Sequence, residues 1–288
     1  MDSSKRFGLV SAALMAFVIF AVIVCGCTGN EEKNLSGKAP LQTEIKTLTV
    51  TGSTTVLPVG QAAAESYMAD NPNADIQLSG GGSSVGVQAV GEGTADIGMA
   101  SRELKDSEKE KYPDLVQHVI AKDGIAIIVH KDNPVLEITT ETARKIYKGD
   151  ITNWKDAGGK DMAIVVVGRD SSSGTREFFS ESVMNKEDYV LTQLEKNSNG
   201  AVKQTVAQTP GAIGYVSMGY LDSTVKGLLI DNVEPTVDNV LNGRYPVARG
   251  LNMFTKGEPK GISKDYLDFL LSPKGQAIVT EEGYVNVA

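Results

Sequence analysis

From Ile45 onward the sequence changes its hydrophobic period at regular intervals, so stretches with strand character and stretches with helical spacing take turns. TLTVTG reads as a strand, VGQAAAESYMADN as an amphipathic helix, DIQLSG as a strand and SVGVQAVGEG as a helix. The alternation runs on through GIAIIVH (Gly124 to His130), TTETARKIYKG (Thr139 to Gly149), MAIVVVGR (Met162 to Arg169) and GTREFFSESVM (Gly174 to Met184). Wholly apolar runs such as AIIV and AIVVV suit parallel strands covered by helices on both faces. The pattern therefore predicts an α/β architecture. Two sheets are expected, because the alternation restarts after KDNPVLEIT and NMFTKGEP reads as a further strand and turn.

The chain in front of this body has a different character. Lys5 and Arg6 precede an almost unbroken apolar run from Phe7 to Val24, followed by Cys25, Gly26 and Cys27. A positive start and a long hydrophobic segment make an export leader. The run also approaches the roughly 20 residues that cross a bilayer, so an uncleaved anchor helix is the second reading. Cys27 after the small Gly26 resembles a lipobox, in which the cysteine is lipidated and becomes the first mature residue. Residues 1–27 are thus read as signal and anchor, and 28–45, polar and poor in apolar residues, as a flexible tether. Either anchor leaves the body on the outer face of the cytoplasmic membrane.

Both cysteines lie in the leader, so the body cannot rely on disulfides or thiolate sites, and with His118 and His130 as the only histidines no metal site is expected. The leader carries Asp2, Lys5 and Arg6, a net +1, so removing it takes the chain from −8 to −9. A body this acidic is not expected to bind nucleic acid.

The residues that carry chemistry sit where strands hand over to helices. GSTTVLP from Gly52, GGGSSVG from Gly80 and RDSSSGTREFF from Arg169 are all small, rich in hydroxyls and glycine, and each leads into a helix. Unpaired N–H groups and the positive end of the helix dipole favour an anion at such a corner, and hydroxyls add donors. Ordinary N-capping explains any one corner. It needs only one hydroxyl, whereas SSSGT supplies four. A tetrahedral oxyanion rewards a closed cage of neutral donors with one or two arginines, so phosphate or sulfate ranks ahead of nucleotides. The lysine-bearing loop of nucleoside-triphosphate enzymes is absent.

Gly82-Ser83-Ser84-Val85-Gly86 also fits a nucleophile elbow, with Asp96, Asp106 or Asp114 and then His118 in the chain order of a hydrolase triad. His118 follows Ser84 by only 34 positions. That leaves little chain for the intervening strands and helices, and the glycines and serines already have an anion-binding explanation. No enzymatic activity and no cofactor are expected. Tyr147 and Trp154 are read as core residues.

GSTTVLP, GGGSSVG, GTADIGMASRELKDSE, DGIAIIVHKDNPV, IYKGDITNW, GRDSSSGTREFF, PGAIGYVSMGYL and SPKGQAIVTEEGYVNV follow one another in an order that resembles the phosphate-binding receptor of the phosphate-specific ABC transporter. The likeness to this family, part of the type II periplasmic-binding-protein superfamily, runs from about Leu48 to the C-terminus. It implies two α/β lobes joined by two crossover segments with the ligand in the cleft, here 46–127 plus 247–288 for the first lobe and 128–246 for the second. It also implies a monomer that captures inorganic phosphate and delivers it to a permease and, through that, its ATPase. A receptor for sulfate or another oxyanion, or a surface sensor of phosphate, would need the same cleft.

By position, the resemblance assigns phosphate contacts to Thr54 and Thr55 in the first corner, to Ser83 in the second, and to Arg169, Ser173, Gly174 and Thr175 in the third. Arg169 would supply paired guanidinium donors, for which lysine is a poorer fit. Where several relatives have an aspartate after the ADIG-like segment, this chain has Ser101-Arg102. Such a carboxylate accepts the proton of monohydrogen phosphate and turns away fully ionised sulfate. Arg102 is expected to bring a second positive charge to the ligand, with Asp170 or another carboxylate as proton acceptor; the alternatives are a pair of Arg102 with Glu103 or Asp106, and Asp170 as a cap.

Overall fold

The computed structural model describes residues 44–287, so the leader with Cys27 and nearly all of the tether lie outside it. Among the described residues no helix is long and apolar enough to cross a membrane. The chain from Thr43 onward forms one compact unit.

In chain order the elements are β1 (Lys46–Gly52), α1 (Leu57–Asp70), β2 (Ala74–Gly80), α2 (Ser83–Glu92), β3 (Ile97–Ala100), α3 (Asp106–Lys111), β4 (Leu115–His130), β5 (Glu137–Ile138) and α4 (Thr140–Lys148). They continue as β6 (Val165–Arg169), α5 (Gly174–Ser182), β7 (Leu194–Lys196), α6 (Asn199–Gln208), β8 (Ala212–Ser217), β9 (Val225–Gly227) and β10 (Leu229–Ile230). The last are α7 (Val237–Leu241), β11 (Ala248–Lys256), α8 (Gly261–Leu271) and α9 (Pro273–Glu281). Each strand and helix anticipated from the period is present.

Sheet connectivity departs from the expected two sheets. The strands form one hydrogen-bonded path, β2-β1-β3-β11-β4-β8-β6-β7, with β9 also on β4 and a separate pair β10-β5. The cause is the length of β4, 16 residues. Its first part, to Gly124, lies antiparallel to β11, and its second part, from Ile125, lies antiparallel to β8 and then β9. One strand thereby belongs to both halves of the molecule. The apolar run AIIV is accordingly antiparallel to its neighbours rather than parallel, because total burial and not strand direction is what its composition encodes. The run ending in VVVGR is parallel to both β7 and β8, as expected.

Each half has its own apolar core. Leu48 and Val50 of β1, Val59 and Ala63 of α1, Met253 of β11 and Leu267 of α8 pack in one. Ile125 and Ile127 of β4, Ile146 and Tyr147 of α4, Trp154, Phe179 of α5 and Tyr215 of β8 pack in the other. Alternation in TLTVT sends Leu48 and Val50 to the same face of β1. Each fully buried residue of this kind contributes about 1.5–3 kcal/mol. Trp154 and Tyr147 are completely buried, and the Trp154 indole N–H donates to Gly211 O at 2.9 Å. The strand-to-helix corners of the two halves face each other at the level where β4 passes between them.

Candidate functional site

The three expected corners meet, and most of their hydroxyls are not used up as caps. The N-cap positions of α1 and α2 are Val56 and Gly82, neither with a side-chain cap bond, so Thr54, Thr55 and Ser83 are available for other partners. In the third corner Ser173 does cap α5, its Oγ accepting from Arg176 N at 3.2 Å.

The centre is a buried knot of donors and acceptors from both halves. Thr55 Oγ1 lies 3.1 Å from Thr175 Oγ1. Asn199 Nδ2, at the start of α6, donates to Thr55 Oγ1 at 2.9 Å and to Thr54 Oγ1 at 3.3 Å. Arg169, only 1% exposed at the end of β6, is held by Lys196 O and Asn197 O and reaches Thr54 Oγ1 through Nη2 at 3.4 Å. Ser83 Oγ accepts from Ser101 N at 3.1 Å.

The two halves touch closely beside this knot. A Cβ at Gly174 would stand 2.3 Å from Ser83 Oγ and 3.0 Å from Ser101 Oγ, so only glycine permits the approach. Gly82, at φ 102°, combines a left-handed backbone with the same kind of contact to Ser172. Across the same seam Ser84 N donates to Ser172 O at 3.1 Å and Ser172 Oγ donates to Gly81 O at 3.1 Å. The phenols of Tyr220 and Tyr284 donate to the carbonyls of Thr54 and Thr55 at 2.6 and 2.9 Å, fixing the first corner from behind.

Two of the expected residues stand elsewhere. Arg102 turns away from the knot toward the rim, where Nη1 and Nη2 donate to the two oxygens of Glu108, each at 2.7 Å, and Nε lies 2.6 Å from Glu177 Oε2. Two carboxylates outcompete the neutral hydroxyls for a guanidinium. Asp170 accepts from Ser172 N at 2.9 Å and from Ser172 Oγ at 2.5 Å, shaping its own loop. The hydrolase residues are also apart in their bonding, Ser84 Oγ accepting from Arg102 while His118 Nε2 pairs with Thr255 Oγ1.

The family model described as the PBP superfamily domain matches residues 37–274. The phosphate-binding protein PstS of Bacillus subtilis is 39% identical over 98% of this chain and 95% of its own length. The chain belongs to the PstS family of phosphate-binding proteins. The PstS protein of Pseudomonas aeruginosa is 33% identical over 83% of this chain and 82% of its own. Among solved structures, a Clostridium perfringens substrate-binding protein assigned to a phosphate ABC transporter, with bound phosphate, is 41% identical with a TM-score of 0.81. It covers 84% of this chain and all of that one. An ABC-type phosphate transport receptor from Vibrio cholerae is 35% identical with a TM-score of 0.69, over 83% of this chain and all of its own.

Within this PstS-family chain the structure adds residues to the knot that reading the corners alone missed. Asn199 comes from a fourth strand-to-helix corner, KNSNGAV, with the same small, polar, glycine-bearing composition; that composition was its signal. Arg249 of β11 donates through Nη2 to Thr175 Oγ1 at 3.0 Å and Thr55 Oγ1 at 3.3 Å, and through Nη1 to Ser101 O at 3.0 Å. Asp123 of β4, opposite it in register and wholly buried, accepts from Arg249 Nε and Nη2 at 3.1 and 2.8 Å and from Ser217 Oγ at 2.7 Å. A lone aspartate heading the apolar run GIAIIV was the available sign of a buried carboxylate in need of a cation. Burial pushes the Asp123 carboxyl above its ordinary value against the pull of Arg249, and burial lowers both Arg249 and Arg169.

Proposed function

We propose that this chain is an extracytoplasmic receptor that captures inorganic phosphate between two lobes and passes it to an ABC permease. The observation that carries this reading is the convergence of Thr54, Thr55, Thr175, Asn199, Arg169 and Arg249 from both halves of the sheet on one buried point. Hydroxyl and amide donors backed by guanidinium groups suit a small tetrahedral oxyanion. They offer no activated nucleophile, so the reading is binding and closure without a covalent step. Relatives named for phosphate binding and phosphate transport support the choice of phosphate over sulfate.

The proposed lobes are 46–127 with 247–288, and 128–246. Separate apolar cores around β1, α1 and α8 and around α4, α5 and β8 support a division of this kind, and Ile125, Ile127 and Val247, which pack in the second core, lie beside the proposed crossovers near Ile127 and Val247. Thr54, Thr55 and Ser83 would hold the ligand from the first lobe, and Arg169, Ser173, Gly174 and Thr175 from the second. Arg102 is proposed to serve closure at the rim, and the chain to act as a monomer tethered by lipidated Cys27 or an N-terminal helix.

Calorimetric titration of the full chain in detergent micelles, with phosphate and separately with sulfate, tests the reading. Tight binding of phosphate and weak binding of sulfate are expected; no binding of either would sink it.

A further inference from the structure

The charged side chains buried around the knot do not balance. Arg169 and Arg249 are cations and Asp123 is an anion, each at most 6% exposed; the Arg102 charge is already met by Glu108 and Glu177, and Asp170, which acts on Arg169 through space, is only part-buried and bonded to Ser172. Two positive groups against one negative leave a single positive charge. An uncompensated buried charge is costly, so the cluster is matched to a ligand bearing one negative charge.

Arg249 ties that count to the ligand position. Its Nη2 is shared between Asp123 Oδ2 on one side and the hydroxyls of Thr175 and Thr55 on the other. An oxyanion held by those hydroxyls would take the N–H that now serves them while the other N–H stays on Asp123, so the two anions would share one guanidinium charge. Among the described residues the remaining neighbours of Asp123 bring no second cation. Ser217 Oγ donates to its other oxygen, the Met218 N–H points toward it, and Tyr245, Tyr284 and Tyr220 around it are phenols that burial keeps neutral.

Resting on the phosphate-receptor reading, we propose that Asp123, acting through Arg249, sets the charge the site accepts, so that a doubly charged oxyanion enters with uptake of one proton from solvent. The proton goes to the Asp123 carboxyl, which then leaves the whole Arg249 charge to the ligand. Burial already raises this carboxyl, and a nearby anion raises it further. A singly charged phosphate enters with no uptake. Sulfate, doubly charged at every pH where the protein is folded, always needs the proton. Asp123 is thus a positioning and charge-setting residue that need not touch the anion.

The test is calorimetry of the full chain with inorganic phosphate and with sulfate, in buffers of different ionisation enthalpy, on the alkaline side of the second ionisation of phosphate. The expected result is uptake approaching one proton per anion bound, and a sulfate affinity that falls about tenfold per unit rise in pH, as a one-proton linkage requires. In Asp123→Asn the uptake should vanish, the slope flatten, and sulfate gain on phosphate. Should that variant not fold, the proton count and sulfate slope of the unmodified chain still decide. Binding without proton uptake would overturn the proposal while leaving the receptor reading intact, as would uptake undiminished in a folded Asp123→Asn. No binding of either anion would overturn both.

Discussion

Arg102, at the head of the loop before α3, and Glu177, in the first turn of α5, face each other across the rim of the cleft with Nε and Oε2 2.6 Å apart. Lys105 Nζ joins the same carboxylate oxygen at 3.1 Å, and Glu108 braces Arg102 from behind. The arrangement is a clasp between the two halves.

Removing the clasp should speed ligand escape more than it slows capture. Glu177 is about a quarter exposed, and a part-exposed pair contributes at most roughly 1 kcal/mol, so Glu177→Gln is expected to raise the phosphate release rate up to about fivefold. Stopped-flow displacement measures it. An unchanged rate would make the pair a bystander to closure.

Gly174→Ala should keep the fold and block the closed cleft. The new methyl would meet Ser83 Oγ at 2.3 Å, and forced overpacking costs about 1–3 kcal/mol, a loss of about five- to 150-fold in phosphate affinity. Scattering in saturating phosphate should show the variant more extended than the parent; equal compactness with full affinity would refute the close-approach argument.

Asp170→Asn separates loop support from proton recognition. Because Asp170 accepts both the N–H and the hydroxyl of Ser172, the variant should weaken phosphate and sulfate alike. A loss confined to phosphate would instead assign Asp170 the acceptor role.

Acid should loosen the rim before the cores fail. Burial raises the Glu108 carboxyl, but the hydrogen bonds from Arg102 and the Lys105 N–H outweigh it, and the group titrates below its ordinary value. A depressed carboxylate adds stability above its unfolded pKa that is lost as the pH falls through the folded one. The gap in melting temperature between the parent and Glu108→Gln should therefore be present at neutral pH and close on acidification. A gap that persists in acid would show that packing, not charge, holds Glu108.

What the sequence determined by itself was local. Period and burial are written residue by residue, so TLTVT declares a strand, TTETARKIYKG a helix, and GSTTVLP, GGGSSVG and RDSSSGTREFF announce their corners before any contact is known. The same logic would have found Asn199 in its fourth corner. The tertiary structure alone decided the partnerships. Arg249 and Asp123 are 126 residues apart and meet only because β11 runs antiparallel to β4 in a register that sets them opposite. Arg102 stands at the rim because folding brought Glu108 and Glu177 within reach, and charge pairing is settled by distance in space, which no local pattern records.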